Sequence, residues 1–198
     1  MAVDNEDLPA LIGSRICHDL ISPIGAITNG LELLEMVGAV QGPEMELISG
    51  SVGSAGARIR FFRIAFGQAS PDQLVGRAEI LSILSDVYRG GRLKVHWTPA
   101  GDCPRAEVRQ ALLLLQCLET AMPYGGQIHI SRTDSTWRVQ GEADKLKVDP
   151  TLFAALNGKP QAALSAAQVH FILVPEGLRR MNRTLKMEQT ENRIAMTF

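Results

Sequence analysis

His18 is followed at once by Asp19 and five residues later by Pro23, in the run Ser14-Arg15-Ile16-Cys17-His18-Asp19-Leu20-Ile21-Ser22-Pro23-Ile24-Gly25-Ala26-Ile27. Imidazole changes charge near neutral pH, so an accessible histidine beside an acid is a candidate for chemistry. Laid on a helix, Leu8, Leu11/Ile12, Ile16, Leu20, Ile24, Ile27, Leu31 and Leu34 recur three and four apart and form one apolar stripe. His18 is off that stripe, on a line with Ser14, Ser22, Gly25 and Asn29. These small or polar neighbours predict an open face that something can approach. Pro23 removes one backbone hydrogen bond and clashes with the Asp19 carbonyl, which predicts a kink about one turn beyond His18. Spacing alone leaves a second reading open, an ordinary surface histidine with a helix-ending proline.

The elements that must position His18 follow from the same patterning. A first helix is predicted from about Leu8 to Met36, with Asp4 and Asp7 near its positive dipole end. Gly and Pro between Val37-Gly38 and Gly42-Pro43 break it. A second helix reads from about Glu44 to Phe66, with Gly67 as its stop. Its centre, residues 49–57, is rich in Gly, Ser and Ala, which costs roughly 1 kcal/mol per glycine and is tolerable if another helix packs very close. Two long helices with a short turn form a hairpin that leaves an apolar face on each helix. A homodimer, in which two hairpins make a four-helix bundle, covers that face; so would the rest of the chain.

Beyond Ser70-Pro71 the pattern changes. Helices are predicted from about Pro71 to Arg89, Arg105 to Met122, Asp149 to Leu156 and Ala163 to Met181. Arg92 to Thr98 reads as a strand with Leu93, Val95 and Trp97 inward and Lys94 and His96 outward. Hairpins are predicted from Gln127–Ser131 with Thr136–Gly141, and from Thr184–Met187 with Arg193–Thr197. The expected fold is therefore α+β: a helical hairpin domain over 1–69, then an α/β sandwich over 70–198, a mixed or antiparallel sheet with helices on one face.

Composition excludes several classes. The 198 residues carry a net charge of -1 and 5% aromatics, against the basic surface of a nucleic-acid binder. The three cysteines, Cys17, Cys103 and Cys117, are scattered, so neither a disulfide framework nor a zinc site is supported. They fit a reducing cytoplasm. The acidic start lacks a signal-peptide pattern, and the apolar runs are too short to span a membrane. No GxxxxGK[ST], GxGxxG, HExxH or GxSxG is present. His96 and His129 sit at outward and edge positions of predicted strands, and His170 on an otherwise apolar helix; each reads as a surface or satisfied structural histidine rather than a catalytic one. Arg58, Arg60 and Arg63 read as a solvated helix face, or as a run that holds an anionic partner or caps the C-terminal dipole.

The stretch His18-Asp19-Leu20-Ile21-Ser22-Pro23-Ile24 resembles the phosphoacceptor box of two-component histidine kinases, where a histidine, an acid and a proline five residues on lie in a helical hairpin. A hairpin followed by an α/β layer also resembles that family's dimerisation domain and GHKL-type ATP-binding fold. The second half departs from the family. Its Arg105–Met122 helix offers Leu113, Cys117 and Glu119 where the family has a metal-ligating Asn. Gln140-Gly141-Glu142-Ala143-Asp144-Lys145-Leu146 keeps one glycine of the family's Asp-x-Gly-x-Gly loop. A domain without these groups is not expected to bind or use ATP.

A kinase-like chain with an intact acceptor and a degenerate ATP-binding domain resembles the ChpT-type histidine phosphotransferases. Further matches lie at Ile24–Leu34 and Arg63–Gly67. The resemblance implies a cytoplasmic homodimeric transferase. His18 would carry a phosphoryl group between a hybrid kinase's receiver domain and those of response regulators. It implies catalytic roles for His18, Asp19 and Ser22, with Ser14, Arg15, Ile21, Gly25 and Asn29 meeting the partner. Arg15 meets an acidic receiver surface or is a plain surface arginine. No cofactor is expected on the chain; Mg²⁺ comes with the receiver. Two alternatives stay open: a non-catalytic regulator-binding protein derived from a kinase, and an atypical histidine kinase.

Overall fold

The chain divides into two units, Met1–Ala69 with Ser82–Val87, and Ser70–Leu81 with Tyr88–Phe198. The computed structural model describes residues 8–36, 38, 42–70, 72–158 and 165–198. On the first helix, side chains are described at Cys17, at 20–22, at 24–34 and at Met36. The fold is α+β.

In the first unit, α1 spans Leu8–Met36 and α2 spans Pro43–Ala65. α1 continues as helix through Pro23. α2 opens with Pro43 at its start and Glu44 and Glu46 in the first turn, and carries Arg63 in the last, as the helix dipole favours. Asp4 and Asp7 lie outside the described residues. The helices run antiparallel. A β-carbon on Gly13 would stand 3.2 Å from the Phe66 carbonyl oxygen, and one on Gly56 would stand 3.5 Å from Cγ2 of Ile24. That seam buries Cys17, Ala57, Phe61 and Ile64.

Three expectations change here. The single apolar stripe of α1 splits: Ile24 and Leu31 are half-buried, whereas Leu20, Ile27 and Leu34 are 44, 48 and 39% exposed. The glycine-rich centre of α2 meets α1 only in part: among the described residues, nothing lies within 4 Å of where a β-carbon on Gly50 or Gly53 would be. Phe66 caps α2 with right-handed backbone, its N–H donating to the Phe62 carbonyl, and Gly67 is not among the glycines with positive φ. Of the basic run, Arg60 reaches Asp86 Oδ2 at 2.7 Å and Ser82 Oγ at 3.5 Å.

The second unit is built on five strands, β2 (Leu93–Trp97), β4 (Gly126–Thr133), β5 (Thr136–Glu142), β6 (Lys186–Gln189) and β7 (Arg193–Thr197). Their order is β2-β4-β5-β7-β6, with β2 and β4 parallel and the other neighbours antiparallel. The sheet is thus mixed. β2 alternates as the sequence predicts, and β5 buries Trp137, Val139 and Gly141 on one face. Helix α4 (Arg105–Ala121) lies on that face and is buried along nearly its whole length, as an apolar helix must be. Helix α6 (His170–Arg180), with Pro175 inside it, packs on α4, and α5 (Pro150–Ala155) packs on α6. Asp149 caps α5 by accepting from the N–H groups of Thr151 and Leu152 at 2.8 and 3.3 Å.

The helix expected from Pro71 begins instead at Arg77, as α3 (Arg77–Val87). The residues before it are drawn into a two-residue strand, β1 (Leu74–Val75), pairing antiparallel with β3 (Cys103–Pro104). Buried Val75 anchors that pair, and Asp102 accepts the Arg77 N–H at 3.1 Å where α3 starts. Pro71 itself lies outside the described residues. The helix expected from Ala163 has its described part in a 3-10 turn, Ala166–Gln168, and α6. Strand β6 falls two residues later than expected. His129 is not at an edge: β4 lies between β2 and β5.

Candidate functional site

Helix α1 carries His18, and its described neighbours define three sides. Gly13, Cys17 and Ile24 face α2. At about 100° per residue, positions 14, 18, 22, 25 and 29 fall in one strip centred about a quarter-turn from Cys17. Ser22, Gly25 and Asn29 are all exposed there, and among the described residues nothing lies within 4 Å of where a Gly25 β-carbon would be. Leu20, Ile27 and Leu34, seven residues apart, form a third, apolar line about half a turn from the polar strip. Ile21 is 38% exposed. Ser14, Arg15, His18, Asp19 and Pro23 are placed as helix backbone only; their side chains lie outside the described residues.

Next to His18 in sequence, Cys17 is 6% exposed. Burial pushes its thiol up from the ordinary range, and the Arg63 charge opposes that in part. A thiol held in its neutral form is a poor nucleophile, so Cys17 serves packing.

In the second unit, the sole glycine left in the loop-like stretch 140–146 has a packing role. A β-carbon on Gly141 would meet Met122 Sδ at 2.6 Å and Leu118 at 3.2 Å, so this glycine lets α4 lie directly on β5. Gly177 of α6 does the same against Gln110 of α4. Leu113 and Cys117 are fully buried, and burial drives the Cys117 thiol well up. Among the described residues, no group of three or more His, Cys, Asp or Glu could hold a metal ion.

A buried polar cluster escapes sequence reasoning. Glu107, at the start of α4, accepts from Trp137 Nε1 at 2.8 Å and from Arg183 at 2.7 Å, and pairs with Arg132 at 3.3 Å. Arg183 also donates to the Ser135 carbonyl at 2.8 Å. It joins the β4–β5 hairpin, α4 and the segment after α6 at one carboxylate. No local spacing marks it, because its members are up to 76 residues apart in sequence.

The comparisons agree with this architecture. A family model of the histidine phosphotransferase C-terminal domain matches residues 77–193. Protein phosphotransferase ChpT of Brucella abortus (strain 2308) is 36% identical over 170 residues, 82% of this chain and 81% of that protein. The solved structure of a bacterial phosphotransferase superposes with a TM-score of 0.68 at 27% identity, covering 100% of this chain and 98% of that one. The chain belongs to the ChpT-type histidine phosphotransferase family. It is a protein phosphotransferase of the phosphorelay kind. Among the described residues, no helix is long and apolar enough to cross a membrane.

Proposed function

We propose that His18 is the phosphoacceptor, and that it passes a phosphoryl group between aspartates of receiver domains. The observation that carries this reading is the His18-Asp19-Leu20-Ile21-Ser22-Pro23-Ile24 run on α1, on one strip with exposed Ser22, Gly25 and Asn29, in a chain whose family is a phosphotransferase family. An imidazole nitrogen of His18 forms the new P–N bond as the P–O bond to the receiver's aspartate breaks, and the aspartate leaves as carboxylate. The reverse step loads the next receiver. Such transfers are driven by positioning and charge neutralisation. In this reading Mg²⁺ belongs to the receiver. Asp19 steadies the imidazole tautomer, Ser22 and Gly25 leave room for the receiver's loops, and Ser14, Arg15, Ile21 and Asn29 meet its surface. The partners are a hybrid kinase's receiver and response-regulator receivers, in the cytoplasm.

The homodimeric four-helix bundle belongs to the same proposal. The Leu20-Ile27-Leu34 line, with Leu47 at 71% and Ile48 at 48% exposure, is apolar surface that a second hairpin would bury. Loss of nucleotide use is supported by Gly141 and Gly177, which serve close helix packing rather than an open phosphate loop.

The test is to mix the chain with a phosphorylated receiver. Acid-labile phosphate is expected on the wild type and absent from His18→Ala. Equal labelling of both would overturn the assignment. No label is expected from ATP alone.

A further inference from the structure

The open face of the sheet carries a second histidine site, independent of His18. β2 and β4 run parallel with His96 directly opposite His129. Neighbouring strands are about 4.8 Å apart and opposed residues share a face, so the two imidazoles must stand side by side. They do: the ring centroids are 4.7 Å apart and the planes 13° from parallel. His96 is exposed and His129 half-buried. Among the described residues, neither ring makes a hydrogen bond to a protein group, so its nitrogens are not engaged by the chain. Gln140, opposite His129 on β5, spends its oxygen on Arg138 and its nitrogen on Glu142. It does not tie the imidazole down.

We propose that His96 and His129 form a two-imidazole site for a divalent first-row transition-metal ion such as Zn²⁺ or Cu²⁺, completed by water. Metal–nitrogen bonds of about 2.0–2.1 Å at a tetrahedral ion put the two ligating nitrogens roughly 3.3 Å apart. A metal lies in the plane of each imidazole it binds, so the stacked rings, 4.7 Å apart and 13° from parallel, turn about χ2 until one nitrogen of each points at a shared ion, a torsion that is broad for histidine. Borderline-soft ions that favour imidazole are the class selected, with Cu²⁺ bound more tightly than Zn²⁺. Hard Mg²⁺ and Ca²⁺ are not. No third His, Cys, Asp or Glu completes the set among the described residues, so the ion keeps open water positions. The two ligands lie on neighbouring strands of one sheet, and the strand register alone holds them together.

The full-length chain is titrated with Zn²⁺ by calorimetry, and Cu²⁺ is added for electron paramagnetic resonance. The wild type is expected to show one saturable site per chain, with Cu²⁺ coupled to two imidazole nitrogens. His96→Ala, His129→Ala and the double variant should each weaken binding at least about tenfold, because one remaining imidazole loses the chelate advantage. His96→Gln, at the exposed position, repeats the loss without altering the half-buried ring. Metal binding by the double variant equal to wild type, or no saturable site on the wild type, would overturn the proposal. The readout involves no phosphoryl transfer, so it stands or falls apart from the role of His18.

Discussion

Gly125 faces the main-chain carbonyl of Arg92 with no space between them for a side chain. A β-carbon there would stand 2.5 Å from the Arg92 oxygen, the same oxygen to which Gly126 donates its N–H at 3.2 Å. Gly125 also sits at φ +101°, a conformation that only glycine adopts cheaply. This contact starts the parallel pairing of β2 with β4. Gly125→Ala adds backbone strain to steric overlap and should cost about 3 kcal/mol. In urea the midpoint falls with an unchanged slope. A midpoint equal to wild type would contradict it.

Glu107 sets a second prediction. Its carboxylate is 11% exposed and bonds Trp137 and Arg183 while pairing with Arg132. Removing one partner of a buried ionic cluster strands the others, so Glu107→Ala should cost about 3–5 kcal/mol. The Arg60–Asp86 pair, at 40 and 27% side-chain exposure, is the contrast: Asp86→Ala should cost under about 1 kcal/mol. Denaturant unfolding of both variants measures the difference, and similar losses would refute it.

His170 makes stability depend on pH. It is buried, with Nε2 3.4 Å from Thr120 Oγ1 and its ring against Phe171. Burial pushes its pKa down from 6.5 to about 4. The unfolded chain binds the proton first as pH falls, so stability is full above about 6.5 and is lost as pH drops towards about 4. The loss attributable to this residue is up to about 3 kcal/mol. His170→Gln should flatten that part of the pH profile, and parallel profiles for variant and wild type would refute it.

The exposed line of α1 sets the last prediction. Ile27→Glu puts a charge in the middle of Leu20, Ile27 and Leu34. It should convert a particle of about twice 21.5 kDa to one of 21.5 kDa by light scattering, without melting α1. A wild type already at 21.5 kDa would remove the basis for the bundle.

Long, strongly patterned elements were legible in the sequence. The alternation of β2 follows from the strand period alone, and the bounds of α1 from the helix period together with the Gly and Pro that follow it. Two-residue strands have no period to detect, so β1 and β3 are hidden in the sequence, and α3 begins six residues after the Pro71 that its pattern suggests. The split of the α1 stripe was hidden for a different reason. Hydropathy marks what wants to be buried, not which neighbour buries it, so Leu20 and Ile24 look alike although Ile24 is half-buried beside Gly56 and Leu20 is 44% exposed. The face of His129 and the partners of Glu107 depend on sheet order, which joins segments far apart in sequence. The family resemblance rests on local motifs, the box on α1 and the Arg63–Gly67 run, and on the order of a hairpin before an α/β layer, none of which needs tertiary information.

Both tryptophans stand in the second unit, Trp97 against Trp137 at 5.4 Å, each at most 5% exposed. The helical hairpin has none. Intrinsic emission therefore reports on the sheet alone, and a fluorescence melt can remain flat while the hairpin carrying His18 opens. Circular dichroism sees both. A gap between the two curves would read out, without any label, whether the units unfold together.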